Sequence, residues 1–135
     1  MRYSPSVSEV AALQTLSLEE RFHYAITRMC ECEEVWGLGD DNGWLIRDVD
    51  GRSVITIWPY RQMAMDFRSG EWADSVPLAV SLEHFICTLL GQCQRAGITL
   101  EVSPAMSLEG YMIEARQLYE ILENMAETGS YFLEG

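Results

Sequence analysis

Apolar residues recur along this chain in two rhythms, and the rhythm changes at recognisable punctuation. From residue 18 onward, Leu18, Phe22, Ala25, Ile26 and Met29 return every three to four positions, the spacing of one helix face. Ser17-Leu18-Glu19-Glu20 precedes them as a capping box. The serine oxygen accepts the exposed N–H three residues on, and Glu20 reaches back to the serine. A helix is predicted over 18–32. The rhythm then shortens to two. Strands are predicted over 35–38, 44–49 and 53–58, separated by Asp41-Asn42-Gly43 and Asp50-Gly51, which accept positive φ cheaply and so close hairpins. In the third strand Val54, Thr56 and Trp58 face one way and Ile55 and Ile57 the other. Bulk on both sides implies a strand that is either central or covered on both faces. Pro59, with no N–H for a ladder, ends it.

The second half alternates between helix and strand. Residues 60–69 read as a short helix with Met63, Ala64 and Phe67 inward, ended by Ser69-Gly70. A strand at 76–80 leads to Ser81, the cap of an amphipathic helix carrying Leu82, Phe85, Ile86, Leu89, Leu90 and Cys93, which stops at Gly97. Strands at 98–102 and 110–114 pair antiparallel, and a closing helix over 115–127 turns Leu118, Ile121, Leu122 and Met125 inward. The expected architecture is α+β: a mixed, largely antiparallel sheet of about five to six strands, starting with the three-stranded meander and packed by three main helices. Residues 1–16 form an arm or short helix, 17–127 a single domain and 128–135 a tail.

With 135 residues and a 48% apolar content, the chain can build a core without disulfides or metal. No apolar run reaches the length of a membrane span, and Met1-Arg2-Tyr3-Ser4-Pro5 lacks a secretory core, so a cytoplasmic protein is expected. The formal net charge of −12, with arginine as the only basic residue type, changes the choice of partners. Such a chain repels phosphate backbones and anionic lipids, which excludes nucleic acid and membranes and leaves a basic protein; a homodimer is a separate candidate assembly. Solubility alone is the commoner meaning of such a charge.

Candidate chemistry is sparse. Cys30 and Cys32 diverge by about 200° on one helix and cannot aim at one ion. Cys87 and Cys93 read as small core residues. No metal or cofactor is expected. His84 and Cys87 lie three apart on one helix, a Cys–His pair in outline, although His84 falls in an exposed first turn. His23 reads as a surface residue. Asp48-Val49-Asp50-Gly51 is a turn and not a calcium loop, because the later acid such a loop requires falls on Pro59. Gly37-Leu38-Gly39 runs into acids that repel phosphate. The tryptophans carry the remaining signal. Their usual role is packing. Their functional reading is a partly exposed aromatic face of Trp36, Trp44, Trp58 and Trp72, rimmed by Glu34, Asp40, Asp41, Glu71 and Asp74.

Glu33-Glu34-Val35-Trp36-Gly37-Leu38, then Gly43-Trp44, Trp58-Pro59 and Gly70-Glu71-Trp72-Ala73, followed by Pro77-Leu78-Ala79-Val80-Ser81-Leu82-Glu83-His84-Phe85, resemble the domain of unknown function 2750 family. The resemblance spans roughly residues 21–122. It implies a small bacterial cytosolic protein and supplies no catalytic residues. The leading functional expectation is therefore a non-enzymatic acidic protein-binding module of adaptor or immunity type. The alternative is a small-molecule-binding regulatory domain with a pocket between sheet and helices. An enzyme built on Cys87 and His84 is the third and weakest reading.

Overall fold

The computed structural model describes residues 16–67, 74–104 and 110–128. The expected N-terminal arm up to residue 15, the Ser69-Gly70 helix stop, Glu71 and Trp72, residues 105–109 and the tail from 129 lie outside the described residues.

Helix α1, Leu18–Cys32, starts where the capping box places it. Glu20 N donates to Ser17 Oγ at 3.1 Å, and Ser17 N donates to Glu20 Oε1 at 2.9 Å. Those bonds hold the Glu20 carboxyl below its usual pKa. Phe22, Ala25, Ile26 and Met29 are buried as the spacing requires, but Leu18, at the helix start, is exposed.

The meander differs from expectation in an informative way. Strand β1, Glu34–Asp40, turns into a two-residue β2, Gly43–Trp44, and the chain then leaves it. After Leu45 and Ile46 it resumes as β3, Arg47–Val49, which pairs with β4, Arg52–Ile57, across a turn with Asp50 at φ 52° and Gly51 at φ 82°. The expected middle strand over 44–49 is thus shared: its first half pairs with β1, and its second half with β4. The expected single sheet is accordingly two. One has the order β2-β1-β5, with β5 at Val76–Ser81. The other has the order β3-β4-β6-β7, with β6 at Thr99–Val102 and β7 at Tyr111–Glu114. The sheets join where Trp36 and Trp58 exchange backbone hydrogen bonds of 2.9 and 2.8 Å. A strand that bends between two sheets in this way forms a corner.

The β4–β6 pair is parallel and the β6–β7 pair antiparallel, so the mixed α+β class holds. Helix α2, Arg61–Phe67, covers one face. Residues 82–96 form a single irregular helix: α3 at Leu82–His84, a π-helical stretch at Phe85–Leu89, and α4 at Leu90–Ala96. Helix α5, Ala115–Thr128, closes the fold. The main core lies between the three long helical segments and the sheets, around Phe22, Ile26, Ile57, Phe85, Leu100 and Leu118. A smaller core of Trp36, Leu38, Trp58 and Ala64 lies under α2 on the other face.

Candidate functional site: a groove beside Trp44

The described tryptophans separate into two kinds. Trp58 is fully buried, with its indole Nε1 donating to Pro104 O at 2.9 Å and Phe67 packed 5.3 Å away. Trp36 is 5% exposed. Both lie at the joint between the sheets, and burial there uses their large apolar area. They cannot belong to an exposed aromatic face, which corrects that part of the expectation. Of the proposed acidic rim, Asp40, Asp41 and Asp74 are exposed and Glu34 is half-buried. Asp40 Oδ1 also accepts from Asn42 N at 2.8 Å and shapes the hairpin tip.

Trp44 is different. Its indole lies flat across β1 at Gly37, where an added Cβ would come within 2.6 Å of the ring. Only a residue without a side chain allows that approach. The ring then donates through Nε1 to Leu78 O at 2.9 Å and packs 6.1 Å from Phe85. Its remaining face borders a groove of about 550 Å³ between the bent sheet corner and the 82–96 helix. Ile46, Leu78, Val80, Phe85, Leu89 and Ile98 make its walls mainly apolar, and Asn42, His84 and Gln92 supply the polar groups.

The helix wall explains why the groove stays open. At Phe85–Leu89 the hydrogen-bonding step lengthens by one residue, with Leu90 N–H donating to Phe85 O. Such a π stretch widens the helix and displaces the apolar stripe. Phe85 remains buried, whereas Ile86 and Leu89 are only half-buried. A uniform helical period cannot reveal this. The signal available in the sequence was an apolar stripe with too many members, Phe85, Ile86, Leu89 and Leu90 together.

A family model described as a protein of unknown function (DUF2750) matches residues 22–122. The chain belongs to the DUF2750 family. No curated protein and no solved structure matches it. The match covers both sheets, the groove and α5 as far as Leu122.

Elsewhere in the DUF2750 fold, two features escaped the sequence reading. One is a buried polar cluster. Glu101, 5% exposed in the middle of β6, pairs with Arg47 and accepts from Thr56 Oγ1 at 3.3 Å and Gly110 N at 3.2 Å. Burial lowers the Arg47 pKa. A Cβ on Gly110 would come within 2.5 Å of Glu101 Cγ, so glycine lets the chain close over the carboxylate. The other is an open cavity of about 750 Å³ with mixed polar and apolar walls, lined by Arg52, Gln94, Thr99 and Met112 and by the first turn of α5. Among the described residues no group of three His, Cys, Asp or Glu side chains comes together to hold a metal, and no helix is long and apolar enough to cross a membrane.

The thiols are mostly withdrawn. Burial, with Glu31 adding repulsion, pushes Cys30 up to about 11, and burial also raises Cys93. Cys87, expected as a small core residue, is exposed, two residues along the helix from buried Phe85. His84 lines the groove and Cys87 does not, so the cavity does not unite the Cys–His pair.

Proposed function

We propose that this protein is a non-enzymatic binding domain whose groove beside Trp44 takes a small, largely apolar ligand without negative charge. The observation that carries this reading is the groove itself. Its size and its apolar lining with a few polar groups at the edge are those of small-molecule sites. The flat indole of Trp44 offers a stacking surface held in place by its bond to Leu78 O. The net charge of −12 weighs against anionic apolar ligands.

The test is binding of the uncharged dye Nile red and of a library of small neutral and cationic compounds, followed by thermal shift and Trp44 fluorescence. Ala96 lines the groove from the exposed end of α4, so Ala96→Phe fills the space without entering the core. Compounds that stabilise the wild type and lose their effect in Ala96→Phe support the reading. Compounds that bind equally well to both proteins would sink it.

A second reading, a basic protein partner, draws on the first hairpin. Asp40 and Asp41 are exposed at its tip, and Ile46, 55% exposed, lies in the link that follows it, between β2 and β3. An apolar residue beside acids suits a contact with arginine or lysine. Retention of a basic protein that is lost both in Asp40→Asn, Asp41→Asn, Ile46→Ser and at raised salt would favour this reading over the first.

A further inference from the structure

Two buried polar atoms at the far end of the parallel pair have no hydrogen-bond partner. Arg21, on α1, is 9% exposed. Its Nη1 donates to Ser103 O at 3.4 Å, and its Nε is buried without an acceptor. Ser103, which directly follows β6, is 5% exposed, and its Oγ is also buried without a partner. Among the described residues no carboxylate forms an ion pair with Arg21. Arg47, by contrast, has a carboxylate counterion in Glu101.

The backbone sharpens the anomaly. Ser103 has φ 54°, in the left-handed region that a side chain disfavours. Pro104 follows it, and a residue before proline ordinarily takes an extended backbone. Ser103 N also donates to Ile57 O at 2.8 Å, so the strained residue is held at the carboxyl ends of β4 and β6. Carboxyl ends of parallel strands are where open sheets bind ligands. Ser103 thus places a buried hydroxyl at a position where glycine would relieve the strain.

We propose that Arg21 and Ser103 form a binding site for the carboxylate group of a small ligand. The Nε side of a guanidinium is the edge on which a carboxylate makes two parallel hydrogen bonds, and here its Nε is unused. The Ser103 hydroxyl supplies a further donor to the same group. A bound carboxylate would match a buried charge that the described protein leaves unmatched. The site shares no residue with the Trp44 groove and does not depend on it.

Acetate, succinate and inorganic phosphate are titrated into the ¹⁵N-labelled full chain at about 0.15 M salt, where exposed charges beyond about 8 Å are screened. The readouts are the Arg21 Nε–H and Ser103 N–H resonances. The expected result is a saturable shift of both with acetate and succinate. In Ser103→Gly the chain folds with equal or greater stability but binds at least about tenfold more weakly, through loss of a hydrogen bond to a charged group. Arg21→Gln abolishes the response, and Ser103→Gly and Ser103→Ala keep the test decisive if Arg21→Gln fails to fold. Failure of either carboxylate to shift the two resonances overturns the proposal. So does a response to phosphate alone, or a Ser103→Gly variant that binds as tightly as the wild type.

Discussion

Trp58 and Trp44 lie on opposite faces of the folded sheets, and each indole N–H is satisfied by a backbone carbonyl at 2.9 Å, Pro104 for one and Leu78 for the other. Yet Trp58 is sealed and Trp44 is half-exposed. Hydrogen bonding therefore does not decide which tryptophan is available to a ligand; the element that covers it does. Helix α2 brings Ala64 and Phe67 down on Trp58, and the pair of half-buried Arg47 with buried Glu101 lies beside them. Over Trp44 the covering helix is widened by one residue at Phe85–Leu89, and a groove remains. One face is built for stability, while the other gives up some packing for an accessible aromatic surface.

The largest effect should come from breaking the sealed face at its charged point. Glu101→Gln removes the buried carboxylate that matches half-buried Arg47 and should cost about 2–3 kcal/mol in urea unfolding, because the guanidinium loses its counterion. The double variant Arg47→Met, Glu101→Leu should regain most of that loss, since replacing both members by apolar groups leaves no charge unmatched. Ligand binding in the Trp44 groove should be unchanged in the double variant. A change there would show that the two faces are coupled.

Trp58→Phe ranks next, at about 2 kcal/mol, because Pro104 O loses its buried donor and the ring leaves space behind. The corresponding perturbation on the open face is Gly37→Ala. It pushes the Trp44 indole off β1 and should cost about 1–2 kcal/mol by overpacking. Its diagnostic sign is a red-shifted tryptophan emission with loss of groove binding. Trp58→Phe should leave binding in place.

Much of the contrast was legible before the structure and part of it was not. Helix α1 and its capping box, the Asp50-Gly51 turn, the Ser81 cap and the coverage of β4 on both faces follow from local chemistry, which acts within a few residues. The split of the middle strand does not. Alternation places Trp44 and Ile46 on one side, but Gly37 draws the Trp44 ring across β1 while Ile46 stays exposed after the bend. That outcome depends on a glycine seven residues away and on the Leu78 carbonyl of another strand. For the same reason the three described tryptophans, alike in sequence, do not share a fate: Trp36 and Trp58 meet across a bridge between residues 22 apart. The Arg21–Ser103 and Arg47–Glu101 pairs are likewise long-range, and an acid or arginine that alternates with apolar neighbours reads as a solvent-facing residue until a partner strand or helix covers it.

The smallest effect is on stability and the clearest is on reactivity. Cys93 lines the groove, Cys30 faces the same core from α1, and Cys87 is exposed. The Cys30 pKa is raised from 9.0 to about 11, so its thiol favours folding fully below pH 9, and that contribution is lost as pH rises through about 11. At neutral pH the fold therefore holds this thiol protonated and unreactive. Treatment with a maleimide at neutral pH, followed by mass spectrometry, should label Cys87 first, Cys93 much more slowly, and Cys30 only on unfolding. A ligand in the groove should slow Cys93 further and leave Cys87 untouched, because only Cys93 borders the occupied space. Gly37→Ala, with the indole displaced, should instead speed Cys93 labelling while Cys30 remains protected. Cys93 labelling as fast as Cys87 in the wild type would mean that the helix wall opens to solvent, and that the difference between the two faces is one of motion as well as of packing.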